Sequence, residues 1–286
     1  MHNVEIKKTY LHDFEKIYPL LQEFDSPYSK EHWKKIFSYQ WDGAENYVGF
    51  HLEHENEVVG FMGLIFSCRY QHNQKYRFCN ITSLIVKEKY RSATILLIRK
   101  LKQLENTIFT GLGPIKESYR LFTLIGFTAY ENHYKIIPTI NYLIGKKRKI
   151  ATYELPVLLD RVDAEHKRIA SDHADLNCKS ILFDFDGSYC MLIYKITQQI
   201  HFGLAVKKIH VHYVSNVFLF NINLYSILNV FKQRLGFLAA IYIDRRFIQR
   251  TFLFSIAKKV IPPRICRNQF NKQIDIDELY SEAILL

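Results

Sequence analysis

Apolar and polar residues follow the period of a strand over residues 78–86 and the period of a helix over about residues 92–104. An extended pattern returns at residues 108–110, so the spacing predicts a strand, a turn, a helix and a second strand over residues 78–112. A strand that leads into a helix brings free backbone N–H groups and the positive end of the helix dipole to one point. Arg91 stands at that point, and we therefore expect a phosphate or pyrophosphate to bind there.

The same reading of the first half of the chain predicts further strands and helices around this stretch. They are a strand near 4–6, helices at about 11–24 and 30–39, a hairpin of strands 47–52 and 58–66, a helix at 115–125 and a closing strand at 130–137. The resulting order β-α-α-β-β-β-α-β-α-β ends near Pro138. It predicts an α/β domain with a mixed sheet over residues 1–138.

The second half of the chain shows a similar order of patterns. Strands are predicted at 180–184, 189–196, 202–213 and 237–243, with a helix at about 219–235 before the last of them. A shift of 130 residues lays Lys232-Gln233 over Lys102-Gln103 with the neighbouring elements in register. We therefore predict a second, more divergent copy of the fold over residues 139–286. Its last residues, 279–286, are expected to form a strand that brings Tyr280 and Glu282 toward a cleft between the copies.

Charge and cysteine content narrow the class of protein. The chain of 286 residues has a formal net charge of +11, of which +8 falls after residue 138. A basic half suits an anionic partner such as a phosphorylated cofactor, a nucleic acid or an anionic membrane face. The five cysteines are scattered and form no CxxC pair or zinc-ligand spacing, so no metal site is expected. Reduced thiols and a charged beginning of the chain predict a cytoplasmic protein without a transmembrane segment.

Three features together resemble the GNAT (GCN5-related) N-acetyltransferases. Ser83 to Arg91 reads SLIVKEKYR, which is similar to the V-x-x-x-Y-R entry to the family's pyrophosphate loop. Leu124-Ile125-Gly126-Phe127 is similar to its closing G-F motif, and the element order over about residues 3–138 is the third feature. The resemblance implies two tandem acyl-CoA N-acyltransferase folds. It also implies acetyl-CoA or another acyl-CoA as the acyl donor.

The resemblance also assigns roles to residues of the opening stretch. Backbone groups of Leu84, Ile85 and Val86 are expected to bind the pantetheine and thioester, and the pyrophosphate is expected on Arg91, Ser92, Ala93, Thr94, Ile95 and Leu96. Thr94 and Leu96 stand where the family has small residues. Thr82 and Ser83 are candidates to relay a proton through water, with His51 and His54 as further candidate bases. Phe122 occupies the position of the tyrosine that protonates the leaving thiolate, which leaves Tyr119 as the nearby phenol.

The predicted function is transfer of an acyl group from a CoA thioester to an amine, on an amino sugar or amino acid, with surface-polysaccharide synthesis as one setting. Two alternatives stay open: a catalytically silent GNAT-like binding module, and a Fem-type aminoacyl-tRNA-dependent transferase. The second alternative rests on the tandem architecture and the basic second half, although no aromatic-basic motif for nucleic acid is seen. The chain has no GxGxxG, GxxxxGK[ST], HExxH or GxSxG motif. Peripheral contact with a membrane is compatible with the basic half.

Overall fold

The computed structural model describes residues 3–24, 28–39, 41, 45–71, 74–201, 203–270 and 274–286. The chain divides into two compact units. The first comprises Met1–Tyr130 together with Pro262–Leu286, and the second comprises Glu131–Ile261. Residue 202, where one strand was predicted to begin, lies outside the described residues.

Strands and helices alternate along both units. In chain order the strands are β1 (Glu5–Thr9), β2 (Gly49–His54), β3 (Glu57–Gln71), β4 (Gln74–Val86), β5 (Thr107–Gly111), β6 (Thr128–Ala129), β7 (His133–Pro138), β8 (Ala151–Glu154), β9 (Lys179–Phe185), β10 (Ser188–His201), β11 (Leu204–Val214), β12 (Ala239–Asp244), β13 (Ile256–Lys259) and β14 (Ile265–Arg267). The helices are α1 (Phe14–Leu21), α2 (Lys30–Ser38), α3 (Thr94–Lys100), α4 (Lys116–Leu124), α5 (Ala164–Asp172), α6 (Val217–Ile222), α7 (Leu224–Leu235) and α8 (Glu282–Leu285). Short 3₁₀ helices cover Leu11–Asp13, Glu88–Ala93, Leu101–Gln103, Thr139–Leu143, Val157–Asp160 and Arg245–Phe247.

The first unit is built on a seven-stranded mixed sheet in the order β1-β2-β3-β4-β5-β14-β6. Neighbouring strands are antiparallel except for β4 and β5, which are parallel and are joined through α3. Alternate residues of the strands face a core cluster that also takes in Leu97 and Ile98 of α3 and Phe122 of α4. Helix α2 also packs on the sheet, where its Phe37 stacks on Phe61 of β3 with ring centroids 5.4 Å apart. The central strands are therefore buried.

The second unit has its own seven-stranded sheet in the order β13-β7-β12-β11-β10-β9-β8. Its β11 and β12 are parallel and connected through α6 and α7, as β4 and β5 are through α3. Lys207 pairs with Ala239 where Arg77 pairs with Thr107, so the two parallel pairs lie about 130 residues apart along the chain. The single helix predicted over 219–235 is two helices. The helical conformation is interrupted between them at Asn223, whose φ of −108° and ψ of 10° are not helical.

The division into units differs from the predicted boundary at residue 138. Strand β7, predicted to close the first sheet, pairs instead with β12 and β13 of the second. In return β14, from the end of the chain, pairs with β5 and β6 of the first sheet. Residues 131–138 therefore belong to the second unit and residues 262–286 to the first. Each sheet is completed by a strand that is distant in sequence.

The final residues form helix α8 rather than the predicted strand, so that prediction was wrong. The side chain of Arg264 donates to Glu278 over 2.7 Å, and both residues are buried. Arg69 of β3 forms an ion pair with Asp277 and donates to the Leu279 carbonyl oxygen over 2.7 Å. These buried bonds hold the end of the chain against the first sheet. None of the helices in the described parts of the chain is long and apolar enough to cross a membrane.

Candidate functional site

Strands β4 and β5 separate partway along their length. Their parallel ladder runs from Arg77–Thr107 to Asn80–Thr110, while β4 continues to Val86. On its other side β4 stays paired with β3 up to Val86. From residue 81 onward, the edge of β4 that faces β5 therefore turns its backbone groups to an opening in the sheet. Such groups are available to bond a bound ligand.

A β-bulge lies in β4 at the start of this opening. Thr82 pairs with Gly63 and Ile85 pairs with Phe61, so two residues of β4, Ser83 and Leu84, oppose one residue of β3. Ser83 has φ of 52°, a left-handed conformation that a serine adopts only under constraint. The bulge bends the strand and redirects its backbone groups. The hydroxyl oxygens of Thr82 and Ser83 lie 3.2 Å apart, so the two predicted relay residues are neighbours in space.

A cavity of about 120 Å³ fills the opening between β4 and β5. It is smaller than the roughly 150 Å³ of a cavity that binds benzene, so it has room for a group of only a few atoms. Its walls come from the bulge, the β5–α4 loop, one side of α4, strand β14, the turn after α1 and the beginning of α8. The lining residues are Phe24, Ile81, Thr82, Ser83, Leu84, Gly111, Leu112, Gly113, Pro114, Ile115, Ser118, Phe122, Ile265 and Glu282.

Glu282 is the acidic residue in this wall. Its backbone N–H donates to the Asn80 side-chain oxygen over 3.3 Å, which fixes the beginning of α8 beside β4. The carboxyl atom Oε2 is buried and has no hydrogen-bond partner among the described residues. Burial raises the pKa of Glu282 to about 8, and the negative charge of nearby Glu278 adds to that rise. A carboxyl group with this pKa exchanges a proton near neutral pH.

Tyr28 lies within electrostatic reach of the same carboxyl group. Burial raises the pKa of the Tyr28 phenol, and the charge of Glu282 raises it further. Its ring also packs edge-on against Trp33, with centroids 5.7 Å apart. Tyr28 is therefore a second ionisable group near the cavity.

The residues predicted to bind the thioester lie on the last part of β4. Leu84 lines the cavity, and Ile85 and Val86 follow it on the part of β4 that extends past the ladder with β5. Their contacts with a ligand stay a prediction. The predicted strand is confirmed, because a strand that precedes a basic turn is a local pattern.

The segment predicted to bind pyrophosphate has a different local structure from the one expected. Glu88–Ala93 is a 3₁₀ helix, so Arg91, Ser92 and Ala93 precede the α-helix, which begins at Thr94 and includes Ile95 and Leu96. The Arg91 side chain is 72% exposed and lies 3.8 Å from the Glu88 carboxylate. The assignment of these six residues to the pyrophosphate stays a prediction.

Tyr119 and the two histidines are placed elsewhere. Tyr119 packs against the core cluster, whereas Ser118 and Phe122 of the same helix line the cavity. His51 is buried with its Nδ1 2.9 Å from the Thr9 hydroxyl, and burial lowers its pKa. His54 Nδ1 lies 2.8 Å from the Asn3 carbonyl oxygen. None of these three side chains belongs to the described cavity wall.

Sequence reasoning named Glu282 only as a residue of a predicted strand near a cleft. No local signal distinguished it, because three other acidic residues, Asp275, Asp277 and Glu278, stand just before it in the sequence. The partner that turns it toward β4 is Asn80, about 200 residues earlier, and sequence spacing does not show that contact. Within the described residues no three His, Cys, Asp or Glu side chains are grouped to hold a metal ion.

Comparison with solved structures identifies the fold. A GCN5-related N-acetyltransferase from Anabaena variabilis matches with a TM-score of 0.60 and 13% identity over 93% of this chain and 72% of its own. A putative acetyltransferase from Pyrococcus horikoshii matches with a TM-score of 0.52 and 14% identity over 97% and 94%. A GCN5-related glucosamine N-acetyltransferase region of a fungal β-N-acetylglucosaminidase matches with 0.56 and 12% over 93% and 38%.

The chain therefore has the fold of the GCN5-related N-acetyltransferases, and the predicted fold class is confirmed. Its two mixed sheets, each with a parallel strand pair joined through helices, fit two tandem copies. No protein-family model matches the sequence, and no curated protein matches it.

Proposed function

We propose that the first unit transfers a short acyl group from a CoA thioester to an amine. The observation that carries this proposal is a buried carboxyl, Glu282, in the wall of the cavity where β4 separates from β5. The backbone of Leu84 to Val86 binds the pantetheine, and the thioester lies at the bulge. The cavity volume of about 120 Å³ favours an acetyl or similarly short group over a long chain.

Glu282 serves as the general base and then as the general acid. The amine nitrogen attacks the thioester carbonyl carbon, and the Glu282 carboxylate accepts a proton from that nitrogen. The C–S bond then breaks, and the protonated Glu282 returns the proton to the thiolate, which yields the amide and free CoA. One carboxyl can perform both transfers because its pKa of about 8 lies near the pH of the reaction. Phe122, which has no proton to give, stands in the same wall.

The acceptor that we propose is an amine of an amino sugar or an amino acid, and the biological setting that we propose is the synthesis of a surface polysaccharide. One similar structure is described as a glucosamine N-acetyltransferase region, which makes amino sugars the first acceptors to test.

The test compares Glu282→Gln with wild type, using acetyl-CoA and a panel of amines that includes glucosamine and free amino acids. Loss of a general acid–base group is expected to lower kcat by about 10²- to 10⁴-fold. Because Glu282 is not needed to bind the pantetheine, the Kd for acetyl-CoA by calorimetry should stay nearly unchanged. The matched control is Glu117→Gln, an exposed carboxyl at the beginning of α4. Wild-type rates in Glu282→Gln would exclude Glu282 from catalysis.

A second candidate function is a module that binds an acyl-CoA without turning it over. Phe122 at the position of the family's tyrosine, with Tyr119 packed in the core cluster, favours it. Acetyl-CoA binding by wild type with no product from any amine would support this candidate. Measurable turnover would exclude it.

A further inference from the structure

Three segments of the second unit meet at one end of its sheet. The Asn141 side chain donates to the Phe254 carbonyl oxygen over 2.6 Å and accepts from the Phe254 N–H over 3.2 Å. The Thr139 hydroxyl donates to the Ala239 carbonyl oxygen over 3.0 Å. The rings of Tyr142 and Phe237 have centroids 6.1 Å apart. These bonds bring residues 139–149, 232–238 and 252–256 together.

Large apolar side chains project to solvent from all three segments. Ile140 and Leu143 are three residues apart on one 3₁₀ helix, and residues at that spacing lie on the same side. We call the following set the apolar tip: Ile140 at 41% exposed, Leu143 at 58%, Phe237 at 54%, Leu238 at 47%, Leu253 at 76% and Phe254 at 50%. Single exposed apolar residues are ordinary, whereas a gathered set indicates a binding surface.

Basic residues border the apolar tip. Residues 139–149, 232–238 and 252–256 together contain six Lys and Arg and no Asp or Glu. One of the six, Arg234, forms an ion pair with Glu154. Four others form the exposed run Lys146-Lys147-Arg148-Lys149. Lys232 lies 4.4 Å from the centre of the Phe237 ring and Lys147 lies 4.9 Å from that of Tyr142, so cations border the apolar side chains directly. The surface fits a partner that offers negative charge above an apolar layer.

We propose that the apolar tip and its basic border dock this protein on a membrane surface that contains anionic lipid. The six apolar side chains enter the interface between headgroups and acyl chains, and the lysines and arginines contact the lipid headgroups. An anionic membrane suits this surface better than a nucleic acid, because it offers beneath its charged headgroups an apolar layer that can take up all six side chains. Long cationic side chains also place their charge at headgroup level while their stems follow the apolar layer.

Binding of the full chain to vesicles tests this inference, and the measurement does not depend on acyltransferase activity. Wild type is expected to sediment with phosphatidylcholine vesicles that contain phosphatidylserine, and about tenfold less with pure phosphatidylcholine vesicles. High salt should weaken the binding, because it screens the headgroup charge. Leu253→Glu, at the most exposed position of the tip, should weaken binding to anionic vesicles by about tenfold or more.

The matched control is Leu124→Glu, a leucine of α4 that is 79% exposed in the first unit and should bind vesicles as wild type does. A second variant, Lys146→Glu with Lys147→Glu, should reduce binding and its salt dependence while leaving the apolar tip intact. Circular dichroism and the melting temperature report whether each variant is folded. Equal binding to both kinds of vesicle, no binding by folded wild type, or an unchanged Leu253→Glu variant would each overturn the proposal. So would loss of self-association or of RNA binding in Leu253→Glu with vesicle binding intact.

Discussion

Replacement of Glu282 by Gln should make the stability of the first unit less dependent on pH. The pKa of Glu282 is raised from 4.5 to about 8 in the folded protein, because burial disfavours the charged carboxylate. Its protonated form therefore stabilises the fold in full below pH 4.5, and that stabilisation is lost as the pH rises through 8. At about 1.4 kcal/mol per unit, the loss reaches about 5 kcal/mol above pH 8 and about 3 kcal/mol at pH 7.

The assay is urea unfolding of wild type, Glu282→Gln and the control Glu117→Gln at pH 5, 7 and 9. A neutral amide carries no charge to bury, so the free energy of unfolding of Glu282→Gln should exceed that of wild type by an amount that grows with pH. Glu117→Gln should follow wild type. In the same pH series the acyl-transfer rate of wild type should rise toward pH 8, as the carboxylate form of Glu282 appears. If the free energy of unfolding of wild type and of Glu282→Gln changed with pH in the same way, Glu282 would not have a raised pKa in the folded protein.

Three further changes test the surroundings of the site and the second unit, each by urea unfolding. Ser83→Val should lower the free energy of unfolding by about 1–3 kcal/mol, because a β-branched residue is strained at a φ of 52°; Ser83→Gly should change it by less than about 1 kcal/mol. Glu278→Gln should cost about 3–5 kcal/mol, because it leaves the charge of buried Arg264 without its carboxylate. Gly145→Ala should cost about 1–3 kcal/mol, because the new Cβ would overlap the Tyr225 ring.

Each of these three predictions of stability can be contradicted by a particular result. Equal stability of Ser83→Val and Ser83→Gly would mean that the bulge is not strained at residue 83. A Glu278→Gln variant as stable as wild type would show that the chain end is not anchored through Arg264. For Gly145→Ala the control is Gly113→Ala, where a Cβ meets no atom within 4 Å, and equal losses in the two variants would contradict close packing at Gly145.

Local patterns predicted most of the strands and helices, because the hydrophobic period of a strand or a helix shows within a few consecutive residues. The opening stretch, the hairpin β2–β3 and the parallel pair β11–β12 all lie close to their predicted positions. The partner of β7 was not predictable in this way. Its apolar pattern is the same whichever sheet it joins, and its pairing with β12 depends on residues more than a hundred positions later in the chain.

In the candidate site, too, the residues on locally patterned elements were predictable and the residue placed by distant contacts was not. The strand that carries Thr82 to Val86 was predicted, because a strand followed by a basic turn is a local signal, and the roles of these residues stay predictions. Glu282 was assigned to a strand, since a short apolar run such as 283–286 reads equally well as strand or helix. Its position depends on the buried pair Arg264–Glu278 and on the bond to Asn80, which lies about 200 residues earlier in the chain.

Titration of wild type with acetyl-CoA, followed by hydrogen exchange of the complex, tests whether the opening between β4 and β5 binds an acyl-CoA. We expect heat of binding, together with slower exchange of the amides of residues 83–86, where β4 leaves its ladder with β5. Slower exchange at residues 91–96 would in addition support the predicted pyrophosphate segment. No heat of binding, or protection confined to residues outside this opening, would show that acyl-CoA does not bind there.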